Sequence, residues 1–289
     1  MIKHYLKVAF RNLVKYKTQS LVSIIGLAVG FTCFALSVLW IRYEMTYDTF
    51  HNGADRIYMV RAHYTDSPGS TSNVTPYPLA NYLQEKMPEI EAATAFTPHH
   101  VKFRLEETEQ EVGMIDADSV FMNFFNIRLL KGTVNFLKEN DPEIAITEEF
   151  ARKLFGSEED ALGKEVELSG RPRKIGAIVS GWSRHSNIPY SVLSSARRYP
   201  RWSSKGEQLF IRVRAGVDRD TFQKKMEDID ILDIPKESEL VKLLITPISA
   251  LRYSDYVSKV DVVISFSYIF YFSLAGGLVI ICSLFNYLT

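Results

Sequence analysis

The stretch SLVSIIGLAVGFTCFALSVLWI, Ser20 to Ile41, holds 22 residues without an Asp, Glu, Lys or Arg, and RYEMTYDTFHNGADRIYMV, Arg42 to Val60, follows it directly. What the first stretch becomes where the second begins decides the fold. At about 1.5 Å per residue a helix of that length spans roughly 33 Å, close to the ~30 Å hydrocarbon thickness of a bilayer. A cleavable export signal has a shorter apolar region, about 7 to 15 residues, and ends in small residues. This run ends in Leu39-Trp40-Ile41-Arg42-Tyr43, and Trp and Tyr are the side chains that settle at a membrane surface. The segment is read as a retained transmembrane helix, residues 20–42.

A second run, Val262 to Thr289, carries no charge across 28 positions and is read as transmembrane helix 2. Residues 43–261 between them have the mixed composition of a folded external domain, which explains a mean hydropathy of −0.05. Charge sets the orientation. Residues 1–19 hold Lys3, Lys7, Arg11, Lys15 and Lys17 and no acid, so that flank is +5; the whole chain is formally neutral and the apolar runs are uncharged, so the middle is −5. Short basic flanks stay in the cytoplasm, which puts the N-terminus inside, the large domain outside and Thr289 inside again. Lys3, Lys7, Arg11 and Lys15 recur every four residues beside Ile2, Leu6, Phe10 and Leu13. That spacing predicts an amphipathic helix over 1–19 lying on the lipid surface, rather than a bare basic flank. The bilayer is the partner these features name, and the balanced charge gives no reason to expect nucleic acid.

Inside the first run, Ser23, Gly26, Gly30, Cys33 and Ser37 step by three and four, so the small residues share one helix face where another helix can approach closely. The second run offers Ser273, Gly276 and Gly277, a weaker form of the same pattern. The two cysteines, Cys33 and Cys282, both lie in apolar runs, so the external domain must fold without disulfides. At this length it can bury enough apolar surface to do so.

Periodicity sketches the external domain. Arg56 to Tyr64 alternates like a strand; a polar loop runs from Asp66 to Thr75; Pro78 opens a helix with Leu79, Tyr82, Leu83 and Met87 on one face, stopped by Pro88. Strands are predicted over Glu91–Phe96, Val101–Glu106 and Glu111–Ile115. Much later the order recurs as strand Leu209–Arg214, helix Asp218–Ile229 with Asp218 as N-cap, and strand Leu240–Thr246. The result is an α+β fold: a split βαβ-type subdomain that receives an inserted second subdomain at about 119–200. The insertion reads as a short helix Asp118–Phe125, extended Ile127–Leu130, strand Glu143–Ile146, a helix Glu148–Phe155 between Thr147 and Gly156, and a hairpin of Lys164–Leu168 with Lys174–Ser180.

Catalytic motifs fail one by one. Gly156 to Lys164, GSEEDALGK, resembles a phosphate loop, but six residues rather than four separate its glycines, Glu165 stands where Ser or Thr should follow the lysine, and three acids would repel phosphate. His99 and His100 are adjacent on a predicted strand and point to opposite faces, so they are poorly placed to share a metal. Ser186 beside His185 lacks a nucleophile-elbow glycine pattern, and the acids of 106–111 and 158–160 read as solvated faces. No catalytic, cofactor-binding or metal-ligating residue is assigned, and the chain is not read as an enzyme.

Tyr47-Asp48-Thr49-Phe50-His51 followed by Asp55-Arg56-Ile57-Tyr58 resembles the exit from the first span in FtsX-like permeases of the MacB type, especially their Bacteroidetes branch. LKVAFRNLVKYK (6–17) and GLAVGF (26–31) resemble the start of the same family. Phe124-Phe125 with Leu129 to Gly132, Ile146-Thr147-Glu148 with Lys153 to Gly156, Leu162-Gly163-Lys164 and Cys282 to Leu288 are similar to it too, in family order across nearly the whole chain. The resemblance implies the membrane-spanning subunit of an ABC transporter with a MacB-like periplasmic core domain of two subdomains. A cytoplasmic ABC ATPase would drive it, a permease dimer and a periplasmic partner protein are implied, and motion would pass to the external domain for export or extraction of a substrate. The family has at least four spans, so a chain with two is expected to be the N-terminal portion. Asp48 is expected to cap a turn at the membrane exit, with direct contact to a partner as the lesser alternative. The same two-span layout also suits a membrane-anchored periplasmic sensor domain of a signalling protein.

Overall fold

The computed structural model describes residues 4, 11, 14–139, 141–182, 185–195, 200–229, 234–254 and 266–288. Lys3 and Lys7, with Ile2, Leu6, Phe10 and Leu13, lie outside them, so the predicted amphipathic face falls largely outside the described residues. Two compact units result, one of residues Met1–Met45 with Ile264–Thr289 and one of Thr46–Val263.

The first unit is helical. Helix α1, Lys17–Met45, has 29 residues and by rise alone a length of about 43 Å. Its apolar side chains, among them Leu21, Ile25, Phe31 and Leu39, are exposed, which an apolar helix tolerates only in lipid. Ser23, Gly30, Ser37 and Glu44 are its buried positions, seven residues apart, the repeat that keeps one face turned inward. The neighbour is the last helix of the chain, Phe266–Leu288. A Cβ on Gly30 would lie 2.9 Å from Ile280 Cγ1, and one on Gly276 would lie 3.2 Å from the Phe34 nitrogen and 3.3 Å from Cys33 Cβ. Gly277 faces open space, so of the adjacent glycines Gly276 makes the contact. Gly26 and Cys33 are half-buried beside it.

The second unit is α+β around a mixed sheet. In chain order its main elements are β1 (Ile57–Tyr64), β2 (Thr75–Pro76), α2 (Leu79–Lys86), β3 (Ile90–Leu105), β4 (Thr108–Ala117), α3 (Ser119–Phe124), β5 (Leu129–Gly132) and β6 (Glu143–Thr147). Then follow α4 (Glu148–Phe155), α5 (Glu158–Ala161), β7 (Glu165–Leu168), β8 (Arg171–Val179), β9 (Val192–Ser195), β10 (Lys205–Val213), α6 (Arg219–Glu227) and β11 (Leu240–Pro247). The order across the sheet is β11-β1-β10-β3-β4-β9-β6-β8-β5, with β2 on β10 and β7 against both β3 and β8. Neighbours within β11-β1-β10-β3 are antiparallel. So β1-α2-β3 and β10-α6-β11 are two interleaved split βαβ units, the ferredoxin-like arrangement. Everything from β4 to β9 is inserted between them.

Local signals behave as their chemistry requires. Asp118 accepts from the Phe121 amide, Thr147 from that of Phe150 and Asp218 from that of Thr221, each satisfying a first-turn donor that has no partner inside its helix. Gly156, at φ 84°, ends α4 in a conformation other residues adopt at a cost. One expectation is corrected: the strands predicted over Glu91–Phe96 and Val101–Glu106 are a single 16-residue strand running through Pro98. β3 pairs with β10 up to Phe96 and with β7 at Phe103 and Arg104, while β4 lines its other side throughout 97–105. Pro98 sits in the interval with a partner on one side only, where a residue without an N–H is tolerated.

The shared strand gives the two halves a shared core. Phe96 of β3 stacks on Phe210 of β10 at 5.3 Å and meets Phe121 of α3 edge-on at 4.8 Å, and Phe125 reaches Phe210 at 6.0 Å.

Two lines of sequence, 243 residues apart, meet at Cys33 and Gly276. With Cys282→Ser to remove the competing thiol, Gly276→Cys should form a disulfide with Cys33 under mild oxidation, because the Cβ atoms already lie close to the ~3.8 Å of a natural bridge. Gly277→Cys should not. Loss of both free thiols to a maleimide reagent reads the result, and bridging by Gly277→Cys instead would contradict the packing.

Candidate functional site

The chain leaves α1 at Met45 and makes a tight turn before β1. At its centre Asp48 has φ 56°, the left-handed region that an L-residue enters at a cost and that Asp and Asn tolerate best. Its side chain is fully buried. A buried carboxylate survives only with its lone pairs engaged, and here three donors engage them: the Ser186 hydroxyl, the Asn187 amide N–H at 3.0 Å and Asn187 Nδ2 at 2.7 Å. The Asp48 N–H in turn donates to the His185 carbonyl at 3.2 Å. Asp48 is therefore not the local turn cap expected from its neighbourhood; its partners lie 138 and 139 residues downstream.

The residues around it complete a clamp. Thr46 Oγ1 and His185 Nε2 are 3.0 Å apart, and the Tyr47 and His185 rings are 3.9 Å apart. On Tyr47 also lies the Arg252 guanidinium, 4.0 Å from the ring centroid, a buried cation over an aromatic face. His51 is wedged between Trp182 at 4.9 Å and Phe125 at 5.0 Å, with Nε2 3.7 Å from Asp48 Oδ1. Trp182 donates to the Ile188 carbonyl at 3.0 Å, and Ser186 Oγ accepts from the Ile188 amide, so residues 185–188 are held in place beside Trp182 where they meet Asp48. It then passes so close to β4 that a Cβ on Gly113 would sit 2.7 Å from the Pro189 oxygen. Turn 46–51, segment 185–188, helix α3 and the 3-10 turn Ile248–Tyr253 thus converge without a regular hydrogen-bond ladder among them.

This geometry holds rather than reacts. Ser, Asp and His are all present, but the carboxylate stands between the other two, Ser186 donates to it and not to an imidazole, and Ser186 is inaccessible. A serine nucleophile needs a histidine base on its oxygen and room for a substrate. Among the described residues no group of three or more His, Cys, Asp or Glu could hold a metal ion. The false phosphate loop is a helix stop and a cap: Ser157 accepts from the Asp160 amide, and Arg152 holds Glu158 at 2.7 Å.

A model of the MacB-like periplasmic core domain matches residues 20–229. The chain belongs to this family. The domain is that of permeases in the MacB/FtsX group of ABC transporters, and the alternative of a sensor's domain falls with the match. A domain of a putative permease protein from Porphyromonas gingivalis has the same fold, at 23% identity over 80% of this chain and 99% of that one, with a TM-score of 0.56. The extracellular domain of the noncanonic ABC-type transporter YknZ from Gram-positive bacteria matches at 13% identity over 66% of this chain and 99% of that one (TM-score 0.48). The periplasmic region of MacB from Actinobacillus actinomycetemcomitans matches at 13% over 69% and 92% (TM-score 0.48). Among curated proteins the chain has no match.

Most of the clamp lies within the matched span of the core-domain family; Arg252 lies beyond it. Of the residues singled out for membrane contact, Arg11, Lys15 and Lys17 are exposed and Lys3 and Lys7 are outside the described residues. None of them takes part in the clamp. Tyr47, Asp48 and His51 were visible as a family-like exit motif, whereas His185, Ser186 and Asn187 carried no signal of their own.

Replacing Asp48 by Ala should strand three buried donors and cost about 3 kcal/mol or more, a large share of a domain's stability. Removing the exposed cap with Asp218→Ala should do far less. Urea unfolding of the detergent-solubilised protein measures both, and equal losses would mean that the clamp is not a keystone.

Proposed function

We propose that the chain is the membrane-spanning, motion-transmitting part of an ABC-transporter permease, driven by a cytoplasmic ATPase and acting through its periplasmic domain on export or extraction of a substrate. The Asp48 clamp carries this reading. A lever works only if no flexible joint separates it from its load. Here the chain leaves α1 and within three residues enters a turn whose central side chain is buried and bound to the middle of the domain. The 3-10 turn Ile248–Tyr253 is tied in as well, since its Arg252 lies on Tyr47. A displacement of the 46–51 turn would load segment 185–188 and, through it, β9.

The topology belongs to the proposal. The +5 flank and the −5 middle support an N-terminus in the cytoplasm and residues 43–261 in the periplasm, with the residue 119–200 insertion as a second subdomain. Helix Phe266–Leu288 is then a second inner-membrane span, which packs on α1 through Gly30, Ser37 and Gly276. In this proposal Lys3, Lys7, Arg11, Lys15 and Lys17 rest on the cytoplasmic lipid surface, and the chain acts in a permease dimer beside a periplasmic partner protein.

Two measurements test it. Cysteine at Ser70 or Gly170 should react with a membrane-impermeant reagent in cells with a permeabilised outer membrane, and cysteine at Lys17 should not; the opposite pattern overturns the topology. In vesicles with the cognate ATPase, Asp48→Ala should leave ATP hydrolysis within about twofold while lowering transport by roughly tenfold or more, an uncoupling of about 1.4 kcal/mol. Transport that survives Asp48→Ala undiminished would remove the clamp from the mechanism.

A further inference from the structure

A cleft of about 640 Å³ opens on the inserted half, away from the clamp, where β3, β4, β8 and β9 meet. Its floor is set by strand register. Asp116 of β4 stands opposite Thr97 of β3 on one side and opposite Ser194 of the parallel strand β9 on the other. Asp116 is half-buried, yet among the described residues its carboxylate accepts no hydrogen bond; its one ionic neighbour is His99 Nε2, 3.7 Å away. The Ser194 hydroxyl, on a residue 4% exposed, is likewise without a partner. At the start of β8 the exposed Arg171 guanidinium, also on the cleft, makes no ion pair or hydrogen bond among the described residues. Arg173 donates to the Asp141 carbonyl at 3.3 Å.

Asp116 is partly exposed, Arg171 is exposed and Ser194 lines the cleft, so a carboxylate, a hydroxyl and a guanidinium without committed partners border one concavity and are free to meet a ligand. The charges lining the cleft are two acids, Asp116 and Asp141, and two arginines, Arg171 and Arg173. They balance, so a simple cation meets the arginines and a simple anion meets the acids. A dipolar ligand meets each with its opposite. We propose that this cleft binds a small zwitterion, of amino-acid or dipeptide size, with its ammonium group on Asp116 and Ser194 and its carboxylate on Arg171. The site is separate from the transmission role and does not depend on it.

The proposal brings a pH dependence. Burial raises the Asp116 carboxyl to about 6; His99 and Arg173 favour its ionised form, and the Glu207 charge opposes it. His100 and Arg171 are the other titratable or charged groups on the cleft besides Asp141. The ammonium group needs Asp116 ionised, so affinity should be full at about pH 7.5 and fall roughly tenfold by about pH 5, as the ionised fraction falls.

The test is calorimetric titration of the full chain in detergent with glycylglycine, beside N-acetylglycylglycine, which lacks the ammonium, and glycylglycine amide, which lacks the carboxylate. The free dipeptide should bind saturably, and each capped form should bind at least about tenfold more weakly. Asp116→Asn and Arg171→Ala should each abolish the preference for the free dipeptide. Asp116→Asn should also raise the melting temperature at about pH 7.5, since it removes a carboxylate that the fold holds unfavourably in its charged form, so loss of binding cannot be put down to unfolding. Equal binding of free and capped dipeptides, unchanged binding by Asp116→Asn, or no saturable binding up to about 10 mM would each overturn the proposal.

Discussion

A fully buried carboxylate with three donors on it organises the domain around the Asp48 turn. Desolvating a carboxylate costs several kcal/mol, and the bonds must offset that in full before they add anything. Once they do, each donor is fixed as firmly as the acid, because leaving any one of them unbonded in the interior restores the cost. That is why a segment with no regular structure, residues 185–188, can be as well placed as a strand. His185, Ser186 and Asn187 are held at one end by Asp48 and at the other by the Trp182 to Ile188 bond.

From there the order propagates by ladders and rings rather than by charge. The segment runs past Gly113 into β9, which pairs in parallel with β4 and antiparallel with β6. β4 in turn pairs with β3 along nine residues, and β3 continues into the ferredoxin-like half. Phe125, which touches His51, belongs to the same ring cluster as Phe96 and Phe210. Close-packed interiors resist compression, so a displacement at the turn is met by both halves together.

What could be read from the sequence followed the range of the interaction. Caps at Asp118, Thr147 and Asp218 and the positive-φ stop at Gly156 depend on residues within one turn, and their chemistry is written there. The interleaved βαβ units could be read because strand and helix periods differ. The continuity of β3 through Pro98 could not, since whether a missing N–H matters depends on which side of the strand has a partner. Nor could the choice of Gly276 over Gly277, which turns on about 100° of helix phase, or the meeting of Asp116 with Ser194, which follows from a parallel register between strands about 80 residues apart. Asp48 shows the limit most sharply. Its own residue type and turn were legible as a cap, and the true partners were not, because nothing local distinguishes an aspartate that caps its own turn from one that binds another segment.

The choice of aspartate at position 48 follows from two demands that no other residue meets together. The backbone at φ 56° favours Gly, Asn or Asp. Gly would relieve that strain and leave the Ser186 and Asn187 donors without an acceptor. Asn could keep one oxygen on the Asn187 donors, but its N–H₂ group would reverse the Ser186 bond and the charge that strengthens all three bonds would be lost. Glu carries the charge but disfavours the left-handed conformation and is one methylene too long for a turn this tight. Only a short side chain that accepts on both oxygens, on a residue that tolerates αL, can hold the 46–51 turn to segment 185–188.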